Sequence, residues 1–439
     1  MLTATQLCFS SPAALTQQSL AQATVKPLPG ELNQIPVFNS NSPELIQSEG
    51  ILLSTFPGDH TAFPNAHLNF PLQGRFDIFA HHVAKPPTPG DLSTLYLGIL
   101  LHNPSQETVT VDILAGASYL SQPDAPFIDL PSSLPNPYGN VYAGPGSRVM
   151  NDLLRDRQQD ILPQQLILPP QSSRLLLNQP IPVRPFDPPL NGRSTYIRLN
   201  SNGKIYAASL AQYAPKTPTG EERAPHLSEW QAILKQENLV TPRDKAPTPP
   251  QQEQGIIYGR VAGISRGNQW QTTVPVTLPS PGKAVAYGLS TLRGGRLGTE
   301  QVQSAPMLVR YPDTAYQAHG NYGVEYDLTL RLRNPSSEAR EMTLALSTPV
   351  KQDQLNPALQ FLDPPPDRVF FRGTVQISDP KGQGKIDPRY FHLVQNQGEP
   401  GEPLVRLNIP PDSEQQVRVR FFYPPDATPP QVLMIRTSG

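Results

Sequence analysis

Apolar and polar residues alternate along two segments of the chain that are nearly copies of each other. The stretch LGILLHNPSQETVTVDILA covers residues 97–115, LTLRLRNPSSEAREMTLAL covers residues 328–346, and the two align without a gap. In each, an alternating run leads into Asn-Pro-Ser and then into a second alternating run. Alternation with a period of two is typical of a strand with one buried face, and Asn, Pro and Ser favour turns. Each copy therefore predicts a strand, a tight turn and another strand.

Two further pairs of segments follow in the same order. LPPQSSRLLL (residues 168–177) matches IPPDSEQQVRV (409–419), and IRLNSNG (197–203) matches IRTSG (435–439). Repeated short strands with turn signals between them are typical of β-sandwiches. We therefore predict an all-β protein made by internal duplication: two tandem immunoglobulin-like β-sandwich domains joined by a short helix and a Pro-rich linker. Two unrelated β domains with similar turns are the alternative.

The predicted organisation has four parts. Residues 1–29 form a leader or disordered segment, residues 30–215 the first β-sandwich domain, residues 216–254 the helix and Pro-rich linker, and residues 255–439 the second β-sandwich domain. The first copy continues past its last matched turn into another strand. We expect GIIYGRVAG (255–263) to fill that strand position in the second copy, because an unfilled position would leave an exposed edge.

The connection between the copies begins with HLSEWQAILKQENL, residues 226–239. Its apolar spacing predicts a helix, with Ser228 as N-cap and Gln231 at the capping-box position. We expect Trp230 to anchor this helix on its neighbour rather than to contact a ligand. Prolines then stiffen residues 241–254 as a linker.

Both copies carry long insertions between their matched segments. These include PDAPFIDLPSSLPNPYGNVYAGPGS (123–147) and FLDPPPDRVFFRGTVQISDPKGQGK (361–385). Loops longer than roughly 12–15 residues are usually functional or disordered. We expect any binding function to lie in these loops.

Composition narrows the class of protein. Proline supplies 54 of 439 residues, more than twice the ordinary share of about 5 per cent, which suits short strands joined by stiff loops. The net charge is −1 and only 16 per cent of residues are charged, so nucleic acid is not an expected partner. Cys8 is the sole cysteine, and no apolar run is long enough for a transmembrane helix.

Catalytic and metal-binding patterns are weak. Residues 263–267 fit G-x-S-x-G but are followed by a strand-like segment rather than the helix of a nucleophile elbow. Five of the eight histidines fall between His60 and His102, but His81 and His82 are adjacent and would point to opposite faces of a strand. We predict no catalytic residue, no metal and no cofactor.

The densest group of aromatic and polar residues is RYPDTAYQAHGNYGVEYD, residues 310–327. Aromatic faces with nearby amide and carboxylate groups suit carbohydrate or peptide recognition, although packing against the protein's own core would use the same residues. The candidate ligand-binding residues are Tyr311, Asp313, Tyr316, His319, Asn321 and Tyr322.

The start of the chain points to export. Ala21-Gln22-Ala23 fits the A-x-A pattern of signal peptidase sites, yet no positive charge precedes Lys26 and no long apolar run is present. We expect a periplasmic or extracellular protein whose signal peptide is truncated or degenerate in this sequence.

Four strings in the chain are specific: ILLHNPS, VYAGPGSRVM, QSAPMLVRYPDTAYQAHGNYGVEYDL and LRNPS. On these the chain resembles, over nearly all its length after Pro27, an uncharacterised cyanobacterial family defined only as a domain of unknown function. The resemblance implies an exported protein that usually begins with a signal peptide. It implies no catalytic residue.

These observations favour a non-catalytic exported protein of the cell envelope or extracellular matrix. Its role would be structural or adhesive, with an envelope polysaccharide or another envelope protein bound through the long loops. The alternative is a polysaccharide- or peptide-acting hydrolase whose carboxylates come from separate loops, such as Asp59, Asp77 or Asp313.

The export prediction can be checked on the native protein. Fractionated cells should hold the protein in the periplasmic or extracellular fraction, and Edman sequencing should place the mature N-terminus near Thr24, because cleavage follows an A-x-A motif. A cytosolic protein that begins at Met1 would contradict the prediction.

Overall fold

The computed structural model describes residues 17–252, 254–355, 358–379 and 386–438. These residues form many short strands, two α-helices and one short 3₁₀ helix, so the predicted all-β class is confirmed. The helices are α1 (Pro145–Leu153) and α2 (Leu227–Gln236). Along the chain the strands are β1 (Gln17–Ala21), β2 (Ala23–Lys26), β3 (Pro36–Ser40), β4 (Leu45–Ile46), β5 (Gly50–Ser54), β6 (Leu72–Ala84), β7 (Leu95–His102), β8 (Val109–Leu120), β9 (Ser133–Pro135), β10 (Gln165–Leu168), β11 (Ser173–Ile181), β12 (Asn191–Tyr213), β13 (Ala262–Arg266), β14 (Gln269–Thr277), β15 (Ala284–Leu289), β16 (Ala305–Arg310), β17 (Gln317–Ala318), β18 (Glu325–Asn334), β19 (Arg340–Ser347), β20 (Leu359–Asp363), β21 (Val369–Ser378), β22 (Arg389–Asn396), β23 (Val405–Ile409), β24 (Ser413–Phe422) and β25 (Gln431–Thr437).

The strands enclose two main hydrophobic cores. Around the N-terminal core, one layer runs β10-β8-β12-β6-β3 and the other runs β11-β7-β12-β5. Strand β12 belongs to both layers: residues 191–201 pair with β6 and β8, whereas residues 206–213 pair with β7. Apolar residues of both layers meet in one buried cluster, including Leu97 and Ile99 of β7 and Val111 of β8.

The C-terminal core repeats this order of strands. One layer runs β23-β19-β25-β15-β2, and the other runs β21-β24-β18-β14. Parallel pairing recurs at the same place, between β3 and β6 in the first set and between β2 and β15 in the second. The alternating apolar residues that predicted each hairpin, such as Leu328, Leu330 and Leu344, are all buried.

In the second copy, the strand that pairs with the edge of β18 is not the one we expected. Residues 255–261 form no strand, and β13 pairs with β3 and β16 in the sheet of the N-terminal core. The position beside β18 is taken instead by β14, which runs parallel to β18, whereas β12 runs antiparallel to β7. The expectation for Gly255–Gly263 was therefore wrong, because apolar side chains of β14, including Val274, complete the C-terminal core.

The two Asn-Pro-Ser turns have the same hydrogen bonds. Asn103 Nδ2 donates to the carbonyl oxygens of Glu107 (2.6 Å), Leu168 (3.0 Å) and Pro169 (3.1 Å). Asn334 Nδ2 repeats this with three carbonyl oxygens at 2.7, 2.9 and 3.1 Å. The Oδ1 of each Asn accepts from the following Ser. The repeated Pro-Pro-x-Ser motif is therefore held against the repeated Asn-Pro-Ser turn in both copies.

Helix α2 forms where its apolar spacing predicts, but it begins differently. His226 is the N-cap, and Glu229, rather than Gln231, completes the capping box. The prediction of Ser228 as N-cap was therefore wrong by two residues. Trp230 is fully buried against Gly98, where a Cβ would lie 2.7 Å from the indole ring, so the expected anchoring role of Trp230 is confirmed.

Strand pairing crosses the predicted domain boundaries. Strands β13 and β16 lie beyond residue 255 yet extend the sheet of the N-terminal core. Strands β1 and β2 lie within the predicted leader, yet they pair with β20 and β15, and Leu28 is buried in the C-terminal core. Residues 1–16 of that leader lie outside the described residues.

A buried ionic network joins the two cores. Arg198 on β12 contacts Asp77 on β6 at 3.7 Å and Glu325 on β18 at 2.8 Å. Glu325 also pairs with Arg420 on β24. Beside this network α1 packs against β8 and β21, and its apolar side chains share a cluster with Phe422. Because charged and apolar contacts both cross it, the junction is a packed interface.

The repeated turns provide a stability test. Asn103→Asp and Asn334→Asp should each lower the free energy of unfolding by about 1–3 kcal/mol, because each removes the donor of three hydrogen bonds while keeping the Oδ1 acceptor. Urea unfolding followed by circular dichroism measures the change. Asn140→Asp, at an exposed position of the first insertion, is the matched control. Equal midpoints for all three variants would contradict the prediction.

Candidate functional site

The two long insertions meet at a cleft of about 590 Å³ on the C-terminal half, which we call the loop cleft. The first insertion supplies Ile128, Asp129 and Leu130 to its wall. The second insertion supplies a second wall through residues 362–372, and the turn after β22 closes one end. The volume falls within the range of roughly 300–1,000 Å³ that is typical of ligand pockets.

Backbone hydrogen bonds hold the walls of the loop cleft together. The amide of Val394 donates to Ser132 O at 3.0 Å, which attaches the first insertion to β22. The amide of Leu362 donates to Gly398 O at 2.8 Å, and that of Gln397 donates to Arg368 O at 2.9 Å. Strand β9 pairs with β22 on the same side. The insertions therefore form ordered walls.

The loop cleft combines acidic and apolar groups. Its carboxylates are Asp129, Asp363, Asp367 and Glu399, and its one guanidinium is that of Arg372. Burial raises the pKa of Glu399, with the Glu402 carboxylate adding to the effect, although a hydrogen bond from the Asn396 amide opposes it. Such a lining favours a ligand that carries positive charge and some apolar surface.

Exposed apolar side chains continue from the cleft along the first insertion. Phe127 is 53% exposed, Ile128 48% and Tyr138 77%. The guanidinium of Arg372 lies 5.1 Å from the centroid of the Phe127 ring. The backbone of Gly144 lies directly against this ring, and a Cβ at that position would be 2.3 Å from it. Gly144 also has a φ of +82°, which favours glycine. The aromatic residue is thus held in a defined position beside the cleft.

A second cavity, of about 190 Å³, lies between the two cores, and we call it the junction pocket. Strand β3 and the residue after it supply Asn39 and Asn41, whose side chains share one face because they are two residues apart on an extended segment. Tyr258 and His319 come from the segments around β13 and β17, and Lys351 comes from the C-terminal half.

The aromatic rings of the junction pocket pack around its lysine. The ring centroids of Tyr258 and His319 are 4.8 Å apart. The ammonium of Lys351 lies 4.2 Å from the Tyr258 ring centroid and donates a hydrogen bond to the hydroxyl of the same residue. Burial lowers the pKa of Lys351 to about 8, although the Asp353 carboxylate opposes this. Burial also lowers the pKa of His319 to about 4, with the positive charges of Arg293 and Lys351 adding to the effect.

Three of the six predicted site residues line the junction pocket: His319, Asn321 and Tyr322. Asn321 is itself engaged, because its Oδ1 accepts from the Ala305 amide and its Nδ2 donates to Gln303 O. The Tyr322 hydroxyl donates to Ala427 O at 3.2 Å. His319 therefore has the most freedom among these three to meet a ligand.

The other three predicted site residues have internal partners. Tyr311 is buried in the N-terminal core, and its hydroxyl donates to Ala66 O at 2.8 Å. Asp313 pairs with Arg243 at 2.7 Å. Tyr316 stacks under the guanidinium of Arg310, whose carbon lies 3.9 Å from the ring centroid. None of these three lines the junction pocket or the loop cleft.

Sequence analysis did not identify the pocket's other polar residues. Asn39, Asn41, Tyr258 and Lys351 lie outside the aromatic stretch. Pairing between β3 and β13 brings the first three into one region, and Lys351 reaches the same pocket from the C-terminal half. A polar residue at alternate positions of an otherwise apolar strand was the single available signal, and it is shared by many half-exposed strands.

The carboxylates considered for a hydrolase are dispersed. Asp77 is fully buried and accepts hydrogen bonds from Tyr196 and Asn268 at 2.8 and 2.6 Å. Asp313 is paired with Arg243, and Asp59 lies exposed in a turn. The acidic residues that do converge, in the loop cleft, are a different set.

In the described part of the chain, His, Cys, Asp and Glu side chains form no group of three or more that could hold a metal ion. The early histidines bond to other groups: His82 to Ser40 and His67 to Ser54. Within the same residues, the structure contains no helix with the length and apolar character needed to cross a membrane.

The buried lysine yields a pH-dependent prediction. The folded-state pKa of Lys351 lies below that of the unfolded chain, so the unfolded state holds more protons between about pH 8 and 10.5, and the wild-type protein gains stability over that interval. Lys351→Met should therefore raise the free energy of unfolding at pH 7 by about 1–2 kcal/mol, a value reduced for partial solvation.

Urea unfolding at pH 7 and pH 10 measures both effects, and the advantage of the variant should shrink at the higher pH. Lys204→Met, at an exposed position of β12, should show neither change. A Lys351→Met variant that is less stable than the wild type at pH 7 would contradict the prediction.

Comparison with known proteins identifies the family without suggesting an activity. A search of the curated proteins found no match. The model of one family, described as "Protein of unknown function (DUF3370)", matches residues 23–437. That range includes both cores, the loop cleft apart from Ser19, and the whole junction pocket. The chain is therefore a member of the DUF3370 family of proteins of unknown function.

Proposed function

We propose that this chain is a non-catalytic structural or adhesive protein of the cell envelope or extracellular matrix, built from two tandem immunoglobulin-like β-sandwich domains that arose by duplication. The repeated strand order and the identical hydrogen bonds of Asn103 and Asn334 support the duplication. The A-x-A motif at residues 21–23 supports export.

The loop cleft carries the proposed binding role. Its walls come from the two insertions, and backbone hydrogen bonds hold them in place. A preformed site loses little conformational entropy on binding. Cleavage at the A-x-A motif would remove β1, and with it Ser19, from one side of the cleft. The mature protein would then have a more open site.

The occupant we propose is a basic, partly apolar segment of another envelope protein. Four carboxylates against one guanidinium attract positive charge, and the exposed Phe127, Ile128 and Tyr138 extend an apolar surface beside them. Aromatic anchors surrounded by complementary charge are characteristic of protein interfaces. An acidic polysaccharide would be repelled by the same carboxylates.

Binding can be measured with a fluorescein-labelled peptide of alternating lysine and leucine. Fluorescence anisotropy should show saturable binding that weakens about tenfold in the Asp363→Asn/Asp367→Asn double variant, since two charges that face the ligand are lost. A peptide of alternating glutamate and leucine should not bind. The matched control, Glu31→Gln/Asp160→Asn, removes two exposed carboxylates outside the cleft.

Two results would overturn this proposal. One is equal affinity of the double variant and its control for the lysine peptide. The other is binding of neutral envelope polysaccharide, in a pull-down with purified glycan, that is abolished by the same double variant, because the cleft would then be a carbohydrate site.

A hydrolase is the second candidate, and the raised pKa of Glu399 in the loop cleft favours it. A carboxylic acid with a raised pKa is better suited to protonate a leaving group, while a second carboxylate such as Asp367 would act as base or nucleophile. Release of reducing ends or amines from envelope polymers, lost in Glu399→Gln, would support this role over the non-catalytic one.

A further inference from the structure

The junction pocket contains polar atoms that the protein itself does not satisfy. Asn39 and Asn41 are each only 4% exposed, and the Oδ1 atom of each has no hydrogen-bond partner among the described residues. A buried acceptor without a partner costs roughly 1–3 kcal/mol. Both of these asparagines line one cavity, so their free acceptors are placed to receive hydrogen bonds from a bound ligand.

Lysine and arginine give the junction pocket positive charge. Within the described residues, Lys351 forms no ion pair with a carboxylate at 4 Å or less, whereas Arg260, which also lines the pocket, is paired with Glu44. The Lys351 ammonium can donate three hydrogen bonds, of which the Tyr258 hydroxyl takes one. The lining therefore combines a cation with the hydrogen-bond acceptors of Asn39 and Asn41.

The size of the pocket limits what it can hold. Its volume of about 190 Å³ is below the roughly 300–1,000 Å³ of sites for drug-sized ligands. A peptide or a helix would not fit, but one sugar ring or a molecule of similar size would. Flat ring surface for such a molecule comes from three lining residues: Tyr258, His319 and Tyr322.

We propose that the junction pocket binds a monosaccharide-sized hydroxy acid, whose carboxylate pairs with Lys351 and whose hydroxyls donate to the carboxamide oxygens of Asn39 and Asn41. The carboxylate satisfies the buried ammonium, and the hydroxyls satisfy the two orphaned acceptors. The neutral imidazole of His319 offers its Nε2 atom to a remaining hydroxyl, because its Nδ1 atom lies 3.5 Å from Ser304 Oγ.

Such a ligand would also connect the two halves of the molecule. Asn39 and Asn41 belong to the sheet of the N-terminal core, whereas Lys351 and Thr428 belong to the C-terminal half. Binding to groups from both halves stabilises the folded arrangement by an amount that grows with the logarithm of ligand concentration above the Kd. This inference does not depend on the loop cleft, which is lined by none of these residues.

Isothermal titration calorimetry with sodium D-glucuronate tests the proposal on the full chain. Glucuronate should bind at least tenfold more tightly than glucose, which lacks the carboxylate, and than propionate, which lacks the hydroxyls. A trimer of glucuronate distinguishes the source: tighter binding of the trimer would identify the end of an acidic polysaccharide as the ligand, and weaker binding a free sugar acid.

Variants assign the binding to the pocket. Lys351→Met should weaken glucuronate binding at least tenfold, and Asn39→Ala/Asn41→Ala about fivefold or more. Lys204→Met, an exposed lysine elsewhere, and the loop-cleft variant Asp363→Asn/Asp367→Asn should leave the affinity unchanged. The last control separates this proposal from the one for the loop cleft.

A measurement on the unaltered protein guards against variants that fail to fold. In NMR spectra of the wild type, glucuronate should shift the ring resonances of His319 and leave those of His102, on β7, in place. The proposal is overturned if glucuronate fails to bind the wild type at about 10 mM, if Lys351→Met binds as tightly as wild type, or if the His319 resonances do not move.

Discussion

The arrangement of this molecule depends on a chain of buried charges that crosses between its two cores. Asp77, Arg198, Glu325 and Arg420 alternate in sign, and Asp77 and Glu325 are almost completely buried. Asn268 adds a hydrogen bond to Asp77 and accepts one from Asn33, so three separate segments converge there. Removing one partner of such a network leaves a buried charge without compensation, at a cost of about 3–5 kcal/mol.

This constraint explains why the two copies are not simply joined end to end. The network requires β6 and β12 of one core to lie against β18 and β24 of the other. Strand β2 and strand β3, which are close in the chain, then pair with different cores, and β13 returns to the sheet of the first. Each core is thus completed by a strand distant in sequence, which makes the cores mutually dependent.

Both cavities follow from the same interlocked arrangement. The junction pocket exists because β3 and the segment around Lys351 are brought to the same seam without filling it. The loop cleft exists because α1, at the end of the first insertion, packs against β21 and so carries Ile128 and Asp129 onto the second half. Placing binding groups on ordered walls between packed units is a common solution for ligand sites. Burial of Lys351 at this seam lowers the pKa of its ammonium to about 8 and so opposes folding at neutral pH.

The sequence by itself determined the local structure. Alternating apolar residues specified the strands on either side of Asn103 and Asn334, because a period of two leaves one face to bury, and the spacing around Trp230 specified α2. The two insertions were also evident as long segments between the matched strands. Only the tertiary structure decided which strand closed the second copy, since a local pattern does not show that β14, rather than residues 255–263, reaches β18. The tertiary structure likewise buried Tyr311 in the N-terminal core, placed His319 at a cavity, and brought Asn39 and Lys351 to the same pocket. Pairing between residues hundreds of positions apart is set by the packing of whole sheets, and no local pattern records it.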